Sequence, residues 1–140
     1  MNLDDTEAQA QLRAEAFVWL AERMPLASST DHSPGYFDSR EDDSYVPAAR
    51  AWQREKAAAG WVCLSWPERF GGRGLSVVED LVFEQEEAKF ETPVRIFGSG
   101  TSIVGPIIMS RGSAGQRERF LPGIRSGEDI WCQMLSEPAA

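Results

Sequence analysis

The chain of 140 residues has few of the side chains that hold metal ions or perform nucleophilic catalysis. It contains one histidine, His32, in a loop rich in Ser, Pro and Gly, and two widely separated cysteines, Cys63 and Cys132. Zinc sites and Ser-His-Asp triads need histidines or paired cysteines fixed beside other ligands. We therefore expect no metal site, no histidine-based triad and two buried, reduced thiols, as is usual in the cytosol.

Positive charge and long apolar runs are also scarce. Fourteen basic side chains stand against 22 acidic ones, for a net charge of −8, which disfavours nucleic-acid binding because that binding depends on Lys and Arg. The longest apolar stretch, around residues 103–109, contains Pro106 and is far shorter than the roughly 20 residues of a membrane span. The N-terminus is acidic and unlike a signal peptide, so we expect a soluble cytoplasmic protein with no membrane span.

What the sequence does contain is a series of helical patterns. Residues 6–24 predict an amphipathic helix that ends at Pro25, with one apolar face formed by Leu12, Ala16, Trp19, Leu20 and Met24. Residues 28–44 are rich in charge and turn residues and predict a long surface loop. A second helix is predicted to begin at Pro47 and to end at Gly60, since proline suits a first turn and glycine a C-terminal cap.

The third helix is predicted from a capping box formed by Ser76 and Glu79. Its helical wheel gives one face with Val77, Val78, Leu81, Val82, Gln85 and Ala88, and a second apolar stripe with Phe83 and Phe90. Glu79, Glu86 and Glu87 lie opposite the first face, and the acidic run of residues 84–87 is interpreted as a solvated surface.

Glycines and prolines divide the rest of the chain. The cluster Gly71-Gly72-Arg73-Gly74 lacks the residues of a phosphate-binding loop and predicts a tight connector. A fourth helix is predicted over residues 97–111, and a fifth from Ser113 to Leu121, stopped by Pro122 and Gly123. From Ile130 six uncharged residues suit a strand.

Several motifs in this order resemble the N-terminal part of the acyl-CoA dehydrogenases, over roughly residues 45–140. They are PERFGGRG at residues 67–74, GSAGQR at 112–117 ahead of Leu121-Pro122, the turn Gly127-Glu128, and CQMLSEP at 132–138, which matches the opening of the family's flavin-binding signature. The family pattern continues with Gly-Ser-Asp, and this chain ends at Ala139-Ala140 just before it.

The resemblance implies an all-α fold, the N-terminal helical bundle domain of that family, with the beginning of a truncated β-domain. Residues 1–127 would be the helical domain, with 28–44 as its long loop, and residues 128–140 the first strand of the middle β-domain. The faces of the third and fourth helices that would meet the missing domains are then expected to be bare.

The resemblance also implies a function, the FAD-dependent α,β-dehydrogenation of an acyl-CoA thioester. A carboxylate takes the α-proton and flavin N5 takes the β-hydride; an electron-transfer acceptor then reoxidises the flavin. No catalytic residue is assigned, because the base is expected in the missing C-terminal domain. The isolated chain is therefore expected to be inactive, and to work with its missing domains or with homo- or hetero-oligomer partners.

Site residues follow from the same resemblance. Gln133, Leu135 and Ser136 would lie along the flavin ring, with Ser136 as a side-chain donor or, alternatively, as a cap of its own backbone. Four residues would lie near the acyl pocket: Phe97, Ser99, Gly100 and Val104. The small residues among them could admit a bulky or branched acyl group, although close helix packing is the favoured explanation of their size.

Two other functions stay open. One is a helical binding or assembly module without enzymatic activity. The other is a fragment of an acyl-CoA oxidase or flavin monooxygenase relative. The residues that separate such relatives from a dehydrogenase lie mainly beyond position 140, and acyl-chain length and oligomeric state are likewise undetermined by this sequence.

Overall fold

A computed structural model describes residues 5–27, 45–93 and 96–134, and these residues form a helical domain. Its five α-helices are α1 (Glu7–Ala21), α2 (Tyr45–Ala58), α3 (Val77–Glu87), α4 (Gly105–Arg111) and α5 (Ala114–Ser126). A 3₁₀ turn spans Glu68–Phe70, and a π-helical segment, Ser99–Val104, runs directly into α4. The described residues contain no strand, so the predicted all-α class is confirmed.

The first two helices follow the sequence closely. Thr6 and Gln9 form a reciprocal capping box at the start of α1, and Leu12, Ala16 and Leu20 bury the predicted face. At the end of α2 the left-handed Gly60, with φ of +76°, lets the Trp61 N–H donate back to the Lys56 carbonyl at 2.8 Å. The predicted loop 28–44 between these helices lies outside the described residues.

Two apolar clusters make the core. The first joins α1, α2 and α3 and contains Leu12, Ala16, Leu20, Trp52, Trp61, Leu64, Val82, Phe83 and Phe90. The second lies between the 61–74 connector and α5, and is built on Trp66, Leu121 and Ile124. The predicted tight connector is confirmed: a Cβ on Gly72 would lie 2.0 Å from the Trp66 carbonyl oxygen, so only glycine fits there.

The buried and exposed faces of α3 are largely the reverse of those predicted. Its Ser76–Glu79 capping box forms and its Phe83–Phe90 stripe is buried, as expected. However, the predicted solvated surface is wrong at two positions, since Glu86 is 1% exposed and Glu87 is 2% exposed. The predicted apolar face is largely open instead, and it includes Val77, Val78 and Leu81. The helix turns its carboxylates inward because basic side chains of α1 and α2 meet them there.

The predicted fourth helix, 97–111, is a π-helical segment followed by α4. Pro106 has no N–H, so in the π pattern the carbonyl five residues earlier, that of Thr101, loses its helical donor. The indole N–H of Trp66 donates to that carbonyl at 3.2 Å. Gly105 allows this approach, because a Cβ there would lie 2.2 Å from the Trp66 ring.

The predicted end of the fifth helix at Leu121 is wrong. The helix continues through Pro122 to Ser126 and is capped by Gly127, with φ of +76°. The missing N–H of Pro122 leaves only the carbonyl of the exposed Glu118 without a helical donor, where water can replace it. Burial of Leu121 and Ile124 on either side of the proline outweighs that loss.

The predicted strand from Ile130 is not formed in its described part. Residues 130–134 have no regular secondary structure. A strand needs a neighbour to satisfy its backbone groups, and the described residues offer none. The division into a helical domain, 1–127, and the start of a second domain, 128–140, stays a prediction.

Candidate functional site

A cavity of about 360 Å³ is the candidate site of the described residues. It lies between α2, the 61–66 segment, α3 and the π-helical segment. Binding sites for small molecules are typically cavities of this size with mostly apolar walls and a few polar groups. The walls are formed by Ala49, Trp52, Gln53, Lys56, Trp61, Val62, Cys63, Ser65, Trp66, Val77, Asp80, Leu81, Phe83, Glu84, Glu87, Pro93, Phe97, Gly98, Thr101, Ser102 and Pro106.

One wall of the cavity carries a buried charge pair. Lys56 Nζ of α2 donates to Glu87 Oε1 of α3 at 2.7 Å. The same oxygen accepts a hydrogen bond from Trp52 Nε1, also at 2.7 Å. The ammonium lies 5.8 Å from the Trp52 ring centroid, within the range of a cation–π contact. Positive and negative charge therefore balance inside an aromatic environment.

Aromatic rings form much of the rest of the cavity lining. Trp61 stacks on Phe83 with centroids 5.0 Å apart and planes 14° from parallel, which joins the connector to α3. Trp66 is fixed by its bond to the Thr101 carbonyl. Phe97 precedes the π-helical segment and is also buried. These rings give the cavity flat, rigid sides.

The connector is held against α3 by Asp80. Its two carboxylate oxygens accept the backbone N–H groups of Leu64 at 2.8 Å and Ser65 at 3.2 Å. The neighbouring Cys63 has a positive φ of 56°, unusual for a residue other than glycine. Burial, and then the negative charge of Asp80, raise the pKa of the Cys63 thiol to about 12, so the thiol is neutral at pH 7. Cys63 and Cys132 are both free thiols, but the prediction that both are buried is wrong at Cys132, which is exposed.

The π-helical side of the cavity is lined by small residues. A Cβ on Gly98 would meet no atom within 4 Å, so the wall is open at that point. The Thr101 hydroxyl donates to the carbonyl of Phe97 at 3.2 Å and is therefore engaged within its own helix. A π-helical turn often marks a functional position, because it shifts the side chains that face a site.

The four predicted pocket residues divide between two sides of this segment. Phe97 lines the cavity. Gly100 instead faces α5 and Trp131: a Cβ there would lie 3.2 Å from Ile124 and 3.4 Å from Trp131. Val104 packs against the second cluster, and neither it nor Ser99 lines the cavity. Close packing accounts for Gly100, while a role of all four in an acyl pocket stays a prediction.

Sequence reasoning missed the polar wall. Lys56, Asp80 and Glu87 were not predicted as site residues, and Glu87 was assigned to solvent. A signal was present for Lys56, which follows Trp52 by four residues and so shares its helical face. The partner of Glu87 comes from another helix, so its burial is not readable from α3 alone.

The predicted flavin contacts are only partly described. Gln133 is exposed on a segment without regular structure, and Leu135 and Ser136 lie outside the described residues. Since Gln133 is exposed and has no neighbouring strand, the described part of the chain does not by itself form a FAD site. Within the same part, no group of three or more His, Cys, Asp or Glu side chains is placed to hold a metal ion. Nor is any described helix long and apolar enough to cross a membrane.

Comparison with known proteins gives consistent matches. The family described as "Acyl-CoA dehydrogenase, N-terminal domain" matches residues 6–128. The chain is 37% identical to acyl-CoA dehydrogenase IpdE1 of Mycobacterium tuberculosis over 130 residues, which is 93% of this chain and 33% of that one. It is 31% identical to acyl-CoA dehydrogenase FadE29 of the same organism over 140 residues, covering 100% of this chain and 34% of FadE29.

Solved structures agree with this result. The ChsE4–ChsE5 complex from Mycobacterium tuberculosis superposes with a TM-score of 0.72 at 31% identity, covering 100% of this chain and 33% of that one. A steroid ACAD, Tcur3481–Tcur3483, gives a TM-score of 0.70 at 26% identity, with 100% and 34% covered. The chain thus spans about a third of the length of the relatives it matches.

Proposed function

This chain belongs to the acyl-CoA dehydrogenase family, as its N-terminal helical domain, and we propose that it forms one wall of the acyl pocket in a FAD-dependent enzyme that oxidises an acyl-CoA thioester between Cα and Cβ. The cavity between α2, α3 and the π-helical segment is the observation that carries this proposal. FAD dependence is part of it, with Gln133, Leu135 and Ser136 as candidate contacts.

The shape of the cavity supports an acyl ligand. Its rings, Trp61, Trp66, Phe83 and Phe97, offer the apolar surface that a hydrocarbon chain or ring system buries. Its rim includes Val77 and Leu81 on the open face of α3, which are 68% and 51% exposed. An exposed apolar rim of this kind is where a second domain or chain would close the pocket.

Two carboxylates of the cavity, Asp80 and Glu87, are held within the fold, and we infer that neither is the base for the reaction. Abstraction of an α-proton needs a carboxylate free to approach it, within about 2.6–3.2 Å. Glu87 is bound by Lys56 and Trp52, and Asp80 is bound by two backbone N–H groups. Both carboxylates fix the cavity walls instead. We therefore place the base in a part of the enzyme contributed by other domains or partner chains.

Partners follow from the same proposal. The substrate is an acyl-CoA, and an electron-transfer acceptor reoxidises the enzyme. The ChsE4–ChsE5 structure is a complex of two proteins, and a hetero-oligomer of comparable kind is compatible with the open face of α3. We place this assembly in the cytoplasm. Alone, the chain is expected to bind no flavin and to show no dehydrogenase activity.

A chimera tests the proposal directly. Residues 1–140 would replace the corresponding third of IpdE1, whose remaining two thirds supply the other domains. The expected result is a flavin-loaded protein whose flavin absorbance is bleached by an acyl-CoA and restored by an electron acceptor. A folded, flavin-loaded chimera that no acyl-CoA bleaches would contradict the proposal, with unmodified IpdE1 as the positive control.

The alternative function is a binding or assembly module without catalysis. The observation that favours it is the open apolar face of α3, because Val77, Val78 and Leu81 are exposed whether or not the chain serves an enzyme. The chimera separates the two functions: a module of this kind would assemble with a partner and still leave the flavin unreduced by acyl-CoA.

A further inference from the structure

The polar wall of the cavity distinguishes one end of it from a plain hydrocarbon pocket. We propose that this wall binds the end of the acyl group remote from the thioester, and that this end carries an uncharged oxygen acceptor, a ketone or hydroxyl, bound by Lys56 Nζ. The inference rests on the proposed function, because it names the substrate class that the same cavity would accept.

The first argument is the number of donors on Lys56. An ammonium has three N–H donors, and among the described residues the only acceptor found for them is Glu87 Oε1 at 2.7 Å. The side chain is buried, at 7% exposure for the residue, so bulk water has little access to the others. A buried donor without an acceptor is unfavourable, and an oxygen arriving through the cavity would satisfy it.

The second argument is charge balance. Lys56 and Glu87 together carry no net charge, and Trp52 Nε1 already donates to the carboxylate. A ligand carboxylate would add an uncompensated negative charge beside Glu87 in a poorly solvated place, which is strongly unfavourable. A hydrocarbon would leave the ammonium donors unsatisfied. An uncharged oxygen avoids both costs.

The third argument is that three other polar side chains of the cavity, Asp80, Thr101 and Gln53, are engaged within the fold. Asp80 is bound by the backbone of Leu64 and Ser65, and the Thr101 hydroxyl by its own helix. Gln53 Nε2 donates to the Arg125 carbonyl at 3.2 Å. Lys56 is therefore the charged donor that remains for a ligand on this wall.

The experiment uses the chain itself and small ring probes. Three compounds of similar size would be titrated and followed through the indole N–H signals of the protein by NMR: cyclohexanone, methylenecyclohexane and cyclohexanecarboxylate. Trp52, Trp61 and Trp66 line the cavity, while Trp19 and Trp131 do not and serve as internal controls. We expect cyclohexanone to bind roughly tenfold more tightly than methylenecyclohexane, as one hydrogen bond to a charged group predicts, and the carboxylate to bind most weakly.

The variants separate Lys56 from the cavity as a whole. Lys56→Met alone leaves Glu87 buried without its cation, so the double variant K56M/E87Q is used, which removes both charges and keeps an acceptor for Trp52. Cyclohexanone should lose its tenfold advantage there, with methylenecyclohexane binding unchanged. Equal binding of ketone and hydrocarbon by the native chain, preference for the carboxylate, a ketone preference that survives in K56M/E87Q, or no binding of any probe would each overturn the inference.

The result is distinguishable from failure of the proposed function. A chimera that oxidises acyl-CoA while the chain shows no ketone preference would overturn only the inference about Lys56. An inactive, flavin-loaded chimera with the preference intact would overturn the proposed function, and with it the assignment of the bound group to an acyl-CoA, while the recognition of a ketone by Lys56 would stand.

Discussion

The two faces of α3 differ in burial, and the difference is the reverse of what some of their side chains suggest: two carboxylates are buried and three apolar side chains are exposed. The face towards α1 and α2 buries two carboxylates, Glu86 and Glu87, at 1% and 2% exposure. The other face leaves Val77, Val78 and Leu81 at least half exposed. A side chain is buried where its partners are, and each of the two glutamates has a partner on a neighbouring helix of this chain.

The partners also differ between the two glutamates. Glu87 meets Lys56 and Trp52, which are both buried. Glu86 accepts from Arg13 Nη1 at 2.7 Å and from Lys89 Nζ at 2.7 Å, and these cations are partly exposed. Hydrogen bonds, to Asp5 first and then to Glu86, raise the pKa of the Arg13 guanidinium above its usual range, so it stays charged. Loss of a partner is therefore expected to destabilise the fold more at Glu87 than at Glu86.

The largest effect is expected from Glu87→Gln. It leaves the Lys56 ammonium buried without a counter-charge, and the free energy of unfolding should fall by about 3–5 kcal/mol, as measured by urea denaturation. Glu118→Gln, on an exposed position of α5, is the matched control and should change stability by less than about 0.5 kcal/mol. If K56M/E87Q is no more stable than Glu87→Gln, the unpaired charge is not the cause.

A smaller loss is expected from Arg13→Met. Glu86 loses one cation but keeps Lys89, whose side chain is 51% exposed, so the loss should be about 1–3 kcal/mol. Arg54→Met removes an exposed arginine of α2 for comparison. Equal effects of the two substitutions on the denaturation midpoint would show that Glu86 does not depend on Arg13.

The Cys63 thiol, beside Asp80 of α3, gives a pH-dependent effect of about 1 kcal/mol. Its pKa is about 12 in the folded chain against 9.0 for a free thiol, so the unfolded state ionises first as the pH rises. Stability from this group is complete below pH 9.0 and is lost between pH 9.0 and about 12, at up to about 1.4 kcal/mol per pH unit.

The measurement compares unfolding free energies at about pH 8 and about pH 10. The drop between them should be about 1 kcal/mol smaller in Cys63→Ala than in the native chain. Cys132→Ala, at an exposed position, should keep the native drop. The same drop in all three proteins would argue against ionisation of Cys63 as its source.

The smallest effect on stability is expected on the open face of α3. Val78→Gln replaces a half-exposed side chain and should shift the free energy of unfolding by no more than about 0.5 kcal/mol. It should nevertheless reduce self-association in sedimentation experiments, because it interrupts the open apolar face of α3. Val82→Thr, at a buried position of the same helix, should instead destabilise the chain. Unchanged self-association after Val78→Gln would mean that this face does not mediate contacts between copies of the chain.

Local sequence signals were reliable where a structure depends on neighbours along the chain. The predicted capping box at Ser76 forms, the fifth helix begins directly after Ser113, and Gly60 caps its helix as predicted. Signals failed where distant contacts decide: α5 continues through Pro122 because Leu121 and Ile124 pack on Trp66. The π-helical segment was likewise unpredicted, since the Trp66 indole that supports it lies 35 residues away.

The sequence by itself determined the family, the helical class and the positions of most helix ends, because motifs and caps are local patterns of a few residues. The tertiary structure decided which face of α3 is buried and where the cavity lies. The physical reason is that a charged side chain enters the interior only beside its partner, and Lys56 meets Glu87 across 31 residues of chain. No helical wheel of α3 contains that contact.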